Sequence, residues 1–441
     1  MSAYLEREVP LVERPLELAA ALAESCLAQG ARRPHVVYER DEEWSVALGA
    51  FAEITATRDD VRCRVGADEH VRGWENSPLS VVDELLRAIP LSGWRAYGWA
   101  GFELAYLHAG LGELVRDDEL LRLMVPRVEV RLRAGTARVR ALTRAELDET
   151  CALLTRYRPV PRKDPVPLDV AANDPGDYRG AVRAAVAEIR ARELQKVILS
   201  RVVRVPTPVD VVGTYLAGRR GNTPTRSFLL DLGGVRAAGF SPEIVVSVDA
   251  DRTVTTQPLA GTRALGAGAA EDERLRADLL SDAKEIFEHA ISVKVAYDEL
   301  RPLCVPDSVA VTDFMSVKAR GSVQHLASSL SGRLSEDVGA WDAFAALFPA
   351  VTASGVPKAS AYRAIRRHES GPRGLYSGSV LTVDEDGSLD AALVLRTLFL
   401  RDGVAWLQAG AGIVEQSDPE REFVETCEKL RSVAQHLVPA H

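Results

Sequence analysis

Apolar residues recur along this chain in two rhythms, and the switches between them mark out its elements. Alternation with period two predicts strands: Val128, Val130 and Leu132 alternate with Glu129, Arg131 and Arg133, and Val139 and Ala141 resume the alternation after the Ala134-Gly135 turn. Residues 35–65 read as a meander of short strands. The run KVILSRVVRV (196–205) is apolar and β-branched, as in a central strand. FLLDLGGVRAAGF (228–240) predicts a hairpin about Gly233-Gly234, and residues 243–266 reverse at Asp249–Arg252. Nearer the C-terminus, LYSGSVLTV, LDAALVLRTLFL and VAWLQAGAGIV are separated by DEDG and Asp402-Gly403 turns.

A helical period takes over in residues 15–28, 177–193 and 418–430. In the last of these, Phe423, Cys427, Leu430, Ala434 and Leu437 step by four and three residues along one stripe. Asp418 stands at the N-cap and Pro419 at the first helical position, where its missing N–H costs nothing. The fold class is therefore α+β, with mainly antiparallel strands covered by long helices. The connector RPVPRKDPVP (158–167) is stiffened by four prolines, so we divide the chain into a sheet-rich region, 1–165, and a region carrying the candidate chemistry, 166–441.

Two Glu-x-x-Glu pairs stand on helical segments, Glu285 and Glu288 in AKEIFEHA and Glu422 and Glu425 in DPEREFVETCEKL. At about 100° per residue, Glu422, Glu425 and Lys429 share one flank of their helix. That flank is either a solvated face with an i,i+4 ion pair or one half of a site for a hard divalent cation. The eight His and five Cys are scattered without metal-ligand spacing, so zinc and iron–sulfur centres have no support.

Other residues are ambiguous when taken one at a time. Lys196 opens an apolar strand, where it is either an ion-paired lysine or one whose pKa is lowered so that it can take a proton. Glu243 follows Ser241-Pro242 at a corner and is either exposed or a buried acid with a raised pKa. The loops PLAGTRALG (258–266) and QAGAGIV (408–414) offer N–H groups at Gly261, Thr262, Gly410, Ala411 and Gly412 that can bind a carboxylate, or they are plain turns. Arg396 lies in an apolar run, where a buried guanidinium requires an anion. His325 and Tyr376 complete the polar set.

Composition narrows the classes. With 46% hydrophobic and 27% charged residues the chain is an ordinary globular protein, and its net charge of −9 argues against a nucleic-acid partner. Five widely spaced cysteines suggest reduced thiols of a cytoplasmic protein. No apolar run is long enough for a membrane span, and the Pro15-started helix lacks the features of a signal sequence.

Taken together, eight segments resemble, in order, the blocks of the chorismate-utilising enzymes: QKVILSRVV, GFSPEIVV, PLAGTRALG, SDAKEIFEHAISV, DFMSVKARGSVQHLASS, LFPAVTASGVPK, PRGLYSGSV and WLQAGAGIVEQSDPEREFVETCEKL. The resemblance covers roughly residues 175–437 and implies two large antiparallel sheets packed as a sandwich and wrapped by helices. It implies Lys196 as general base for water and Glu243 as general acid, with His325 beside them. Gly261, Thr262, Tyr376, Arg396, Gly410, Ala411, Gly412 and Lys429 would surround chorismate, and Glu285, Glu288, Glu422 and Glu425 would hold Mg²⁺. Within the family the fuller similarity is to the single-chain salicylate synthases of siderophore pathways. That implies water addition at ring C2 with loss of the C4 hydroxyl to give isochorismate, then elimination of pyruvate. Ala260 stands where lysine-attacking relatives place their nucleophile, which also points to water. Isochorismate synthase is the alternative, ahead of an anthranilate or aminodeoxychorismate synthase or a silent ligand-binding relative. We expect a monomer without a glutaminase subunit. Gln257 stands where close relatives are expected to have Glu, which puts the tuning of the pocket in question.

Overall fold

The computed structural model describes residues 2–440 apart from 13, 28–32, 117, 118, 160, 173–175, 267 and 322. Ala28, at the end of the first predicted helix, and Val160, in the connector, lie outside the described residues. The predicted α+β architecture is present. The sequence reading anticipated two sheets, but the ladders run on into one another, so that nearly all strands belong to one closed hydrogen-bonded network. Within that network every ladder is antiparallel, and a short parallel pair, Ser2–Ala3 with Leu91–Ser92, stands apart from it.

Alternation puts a different apolar cluster on each face. Along the strand His35–Arg40, Val37 joins the larger cluster while Val36 and Tyr38 join a smaller one with Tyr97, Trp99, Phe228 and Phe399. The same strand ties the N-terminal region to the rest, since it pairs with Arg226–Leu232; likewise Arg95–Ala100 pairs with Ser379–Asp384. The described residues of the proline-rich connector carry no regular structure; the Val166 N–H donates to the carbonyl of Leu437 and, just past the connector, the Leu168 N–H to that of Ala434.

Two expectations needed correction. The meander over 35–65 contains one long strand, Glu43–Ala56, because its pairing with Leu121–Arg133 continues past a bulge at Ala50–Ala52 beside Gly49, whose φ is +63°. The run LDAALVLRTLFL is two strands, Leu389–Leu393 and Thr397–Arg401, broken where Arg396 takes a φ of 50°. At that break the chain changes partners, from Ile244–Val248 and Ser379–Asp384 to Val235–Ser241 and Val404–Ile413.

The strand Lys196–Val205 lies between Val404–Ile413 and Gly355–Val356, with Ile198 opposite Gly412 and Ser200 opposite Gly410. Val323–Arg333 carries Leu259–Ala264 on one side and Ala310–Arg320 on the other. Helices Ala283–Leu300 and Pro419–Ala434 pack over this region. Both are capped by an aspartate side chain, Asp282 and Asp418, each accepting two N–H groups of the first turn.

Away from these helices, a buried polar knot fastens the N-terminal region. Asp390 accepts two hydrogen bonds from Arg226, at 2.8 and 2.9 Å, and one from the Tyr38 hydroxyl. Replacing Arg226 by Met leaves that buried carboxylate only the Tyr38 hydroxyl and a longer contact with Arg40 at 3.4 Å, and should cost about 3 kcal/mol. Denaturant unfolding would read this as a lower midpoint at unchanged slope, and a loss below about 1 kcal/mol would remove the knot from the forces holding the two regions together.

Candidate active site

A cavity opens between the sheet and these two helices, enclosing about 710 Å³ of space between atoms, part of it continuous with solvent. Its walls bring together Glu243, Gly261, Thr262, Glu288, His325, Tyr376, Arg396, Gly410, Gly412, Glu425 and Lys429. Eleven residues singled out from eight segments thus share one space. Ala411 does not face it: alternation along Val404–Ile413 sends its side chain into the core while Gly410 and Gly412 look into the cavity. Lys196, Glu285 and Glu422 stand behind the wall.

Pro242 and the corner after Val235–Ser241 place Glu243 in the wall, where it is only 2% exposed. Burial pushes its carboxyl up to about 8, against the opposing effect of the Thr352 hydroxyl, which donates to Oε1 at 2.5 Å. Near neutrality the group is therefore an acid that keeps its proton. The Leu259 backbone also bonds this carboxyl, so Glu243 is held from two sides.

The four glutamates converge from the two helices, and each is more than nine-tenths buried. Glu288 and Glu425 border the cavity, with Glu285 and Glu422 behind them. Each carboxylate meets a cation. Glu288 pairs with Lys196 at 3.0 Å, Glu425 with Lys429 at 2.8 Å, Glu422 with Lys284 at 3.0 Å, and Glu285 with Arg263 at 3.2 Å. Burial and the charge of Glu425 raise the pKa values of Glu285 and Glu422; burial acts on Glu425 too, but the ammonium groups of Lys429 and Lys284 outweigh it and hold that group low. Among the described residues no three carboxylate or imidazole groups already meet as a metal cluster. The donor set still fits a hard cation: all four ligand candidates are carboxylates, and Glu422 Oε2 is buried with no hydrogen-bond partner. Gly412 makes room for Glu288, since a Cβ there would lie 2.1 Å from Oε1.

The far wall is electropositive. Arg396 is buried, donates to the carbonyl of Arg320 at 2.9 Å and to His325 Nε2, and has no carboxylate partner among the described residues. Burial, with Arg320 nearby, pulls the guanidinium down to about 9, the response of a cation that lacks its anion. Burial and the charges of Arg396 and Lys429 hold His325 well below its usual range, so it is neutral. Because Arg396 can only donate, Nε2 must accept, and the proton sits on Nδ1, within reach of the Gly261 carbonyl at 3.2 Å and Thr262 Oγ1 at 3.1 Å. His325 is thus an orienting group for Arg396. One end of the cavity is built for an anion and the other is lined by carboxylates.

The sequence profile of the chorismate binding enzymes matches residues 33–435. The chain belongs to this family. It is 45% identical over 98% of its length to the salicylate synthase of Mycolicibacterium paratuberculosis, covering 95% of that protein. It is 40% identical to anthranilate synthase component 1 of Haloferax volcanii over 61% of this chain and 53% of that one. The crystal structure of anthranilate synthase component I from Streptococcus pneumoniae superposes with a TM-score of 0.75 at 28% identity, over 89% of this chain and 92% of that one. The menaquinone-specific isochorismate synthase of Escherichia coli shares the fold, with a TM-score of 0.74 at 23% identity, over 99% of this chain and 95% of that one.

The family blocks contain residues that the reading of single side chains passed over. Thr352 lies in LFPAVTASG and Lys284 in SDAKEIFEHA, but neither has a spacing signature, because each works on a partner from a distant segment. Gln257 does not line the cavity; its N–H donates to the carbonyl of Ile244. Ala260 does line it and offers only a methyl group. Replacing Thr352 by Val removes the bond that orients Glu243 and should lower kcat about tenfold, the weight of one hydrogen bond, with KM little changed. Thr352→Ser should restore the rate, and a wild-type rate in the Val variant would show that the bond has no part in turnover.

Proposed function

We propose that this enzyme converts chorismate to salicylate and pyruvate through isochorismate, with Mg²⁺ as its resident ion. The observation that carries the reading is the near-full-length similarity to a salicylate synthase, at 45% identity. The geometry is consistent with it. Chorismate is a dicarboxylate, and the cavity offers Arg396 and Lys429 as cations for one of its carboxylates. A divalent ion held by Glu285, Glu288, Glu422 and Glu425 would neutralise these carboxylates and receive the other carboxylate of the substrate.

In this account Lys196 takes a proton from water as the oxygen bonds to C2. Glu243 gives its proton to the departing C4 hydroxyl, which leaves as water. Each proton transfer contributes roughly 10²–10⁴-fold. Lys196 can reach the attacking water only once its Nζ has left Glu288, to which it is paired at 3.0 Å. The methyl group of Ala260 supplies no competing nucleophile. Pyruvate then leaves as the C2 hydrogen passes to the enolpyruvyl methylene carbon and the ring C3–O bond breaks, a step that depends on how the walls constrain the side chain. Supply of salicylate for siderophore or related aryl-acid synthesis, a cytoplasmic setting and action as a monomer without a glutaminase belong to the same proposal. The cysteines, all buried and free, suit a reducing compartment.

Purified protein incubated with chorismate and Mg²⁺ should yield salicylate and pyruvate in equal amounts by chromatography. Chelation should stop turnover and added Mg²⁺ should restore it. Accumulation of isochorismate alone would make the enzyme an isochorismate synthase, and anthranilate formed with ammonia would overturn the choice of water. Because Glu243 must keep its proton, kcat/KM should fall as the pH rises through about 8. Glu243→Gln should lose loss of the C4 hydroxyl altogether, and a fully active variant would remove the acid from the mechanism.

A further inference from the structure

Lys284 occupies a position that ordinary helix chemistry disfavours. It lies in the first turn of Ala283–Leu300, where the helix dipole repels a cation. Its Nζ donates to Glu422 at 3.0 Å and lies 3.6 Å from Glu285. It therefore touches one carboxylate from each helix. None of the other cations faces the group from such a central place. Lys196 is wholly buried on a strand, Lys429 is also bonded to the Gly410 carbonyl beside the cavity, and Arg263 is shared with Asp278 and Asp282. Lys284 does not line the cavity, yet its side chain is 17% exposed, so it has a route to solvent that avoids the substrate.

Charge balance gives this placement a use. With Arg263 set against Asp278 and Asp282, a divalent ion added to four carboxylates and three ammonium groups leaves the site with an excess positive charge, which burial makes costly. With Lys284 withdrawn, the four carboxylates balance the ion and the two remaining ammonium groups. Resting on the metal site proposed above, we infer that Lys284 is a tethered stand-in for the divalent ion: it holds the carboxylates together in the metal-free enzyme and swings into solvent when the ion binds. It is a positioning residue, and it sets the affinity of the site by competing for Glu422 and Glu285.

The first test uses the wild-type enzyme with Mg²⁺ and no substrate. Acetylation by acetic anhydride, read at Lys284 by peptide mass spectrometry, should rise several-fold when Mg²⁺ is added, while the exposed Lys294 reacts equally in both conditions. Calorimetry on the same samples separates the two readings. If no Mg²⁺ binds, the metal site itself falls; if Mg²⁺ binds and Lys284 is no more reactive than before, the stand-in role alone is refuted. Lys284→Met should bind Mg²⁺ about tenfold more tightly, as expected when a like charge beside the ion is removed. It should also melt at a lower temperature than wild type without the ion, whereas Lys284→Arg should stay close to wild type in both respects. Weaker or unchanged Mg²⁺ binding in the Met variant would count against the inference.

Discussion

Four carboxylates brought into one buried space repel one another, and the catalytic half of the structure is arranged around cancelling that repulsion. An ionised carboxylate out of water costs several kcal/mol unless a cation or hydrogen bonds meet it. Here each glutamate has its own cation, and those cations come from four different places in the chain: strand Lys196–Val205, strand Leu259–Ala264, and the two capped helices themselves. The pairs therefore do more than neutralise charge. They draw together elements that no single ladder joins, and they leave Glu422 Oε2 buried without a hydrogen-bond partner.

The same cavity treats its acidic and basic ends in opposite ways. For Glu243 burial outweighs the Thr352 and Leu259 hydrogen bonds and the charges of Lys196 and Lys429, so it keeps its proton, while Glu425, equally buried, is held ionised by the closer ammonium of Lys429 and that of Lys284. Two carboxyl groups in one pocket thus take opposite roles because their neighbours differ. Across the cavity, Arg396 is kept in a left-handed backbone turn, pinned by the carbonyl of Arg320 and by a neutral His325, with its charge unanswered. The strained backbone and the missing counter-ion coincide at this residue, which the proposed function assigns to a ligand carboxylate.

Much of this was legible in the sequence, for identifiable reasons. Period-two alternation located the strands, Asp418-Pro419 located the start of the last helix, and the three-residue step placed each glutamate pair on one helix flank. The order of the blocks then implied that the two flanks meet, which periodicity cannot say. What stayed hidden depends on partners far away in the chain. The break at Arg396 arises where one strand pair ends and another begins, a feature invisible in LDAALVLRTLFL. Ala411 read like its glycine neighbours, yet strand alternation turns it into the core. Lys196 promised an amine facing the substrate, whereas its ammonium stands behind Glu288, and Thr352 and Lys284 became informative only once their carboxylate partners were in place.

The central claim is that the two Glu-x-x-Glu helices form a single divalent-cation site. Calorimetric titration of Mg²⁺ into wild type and into Glu288→Gln and Glu425→Gln, each checked for native melting behaviour, addresses it most directly. The account predicts one ion bound per wild-type chain and binding lost or severely weakened in both variants, one from each helix. Undiminished binding in either variant would contradict it, because the ion would then be held without the convergence on which the structure is built.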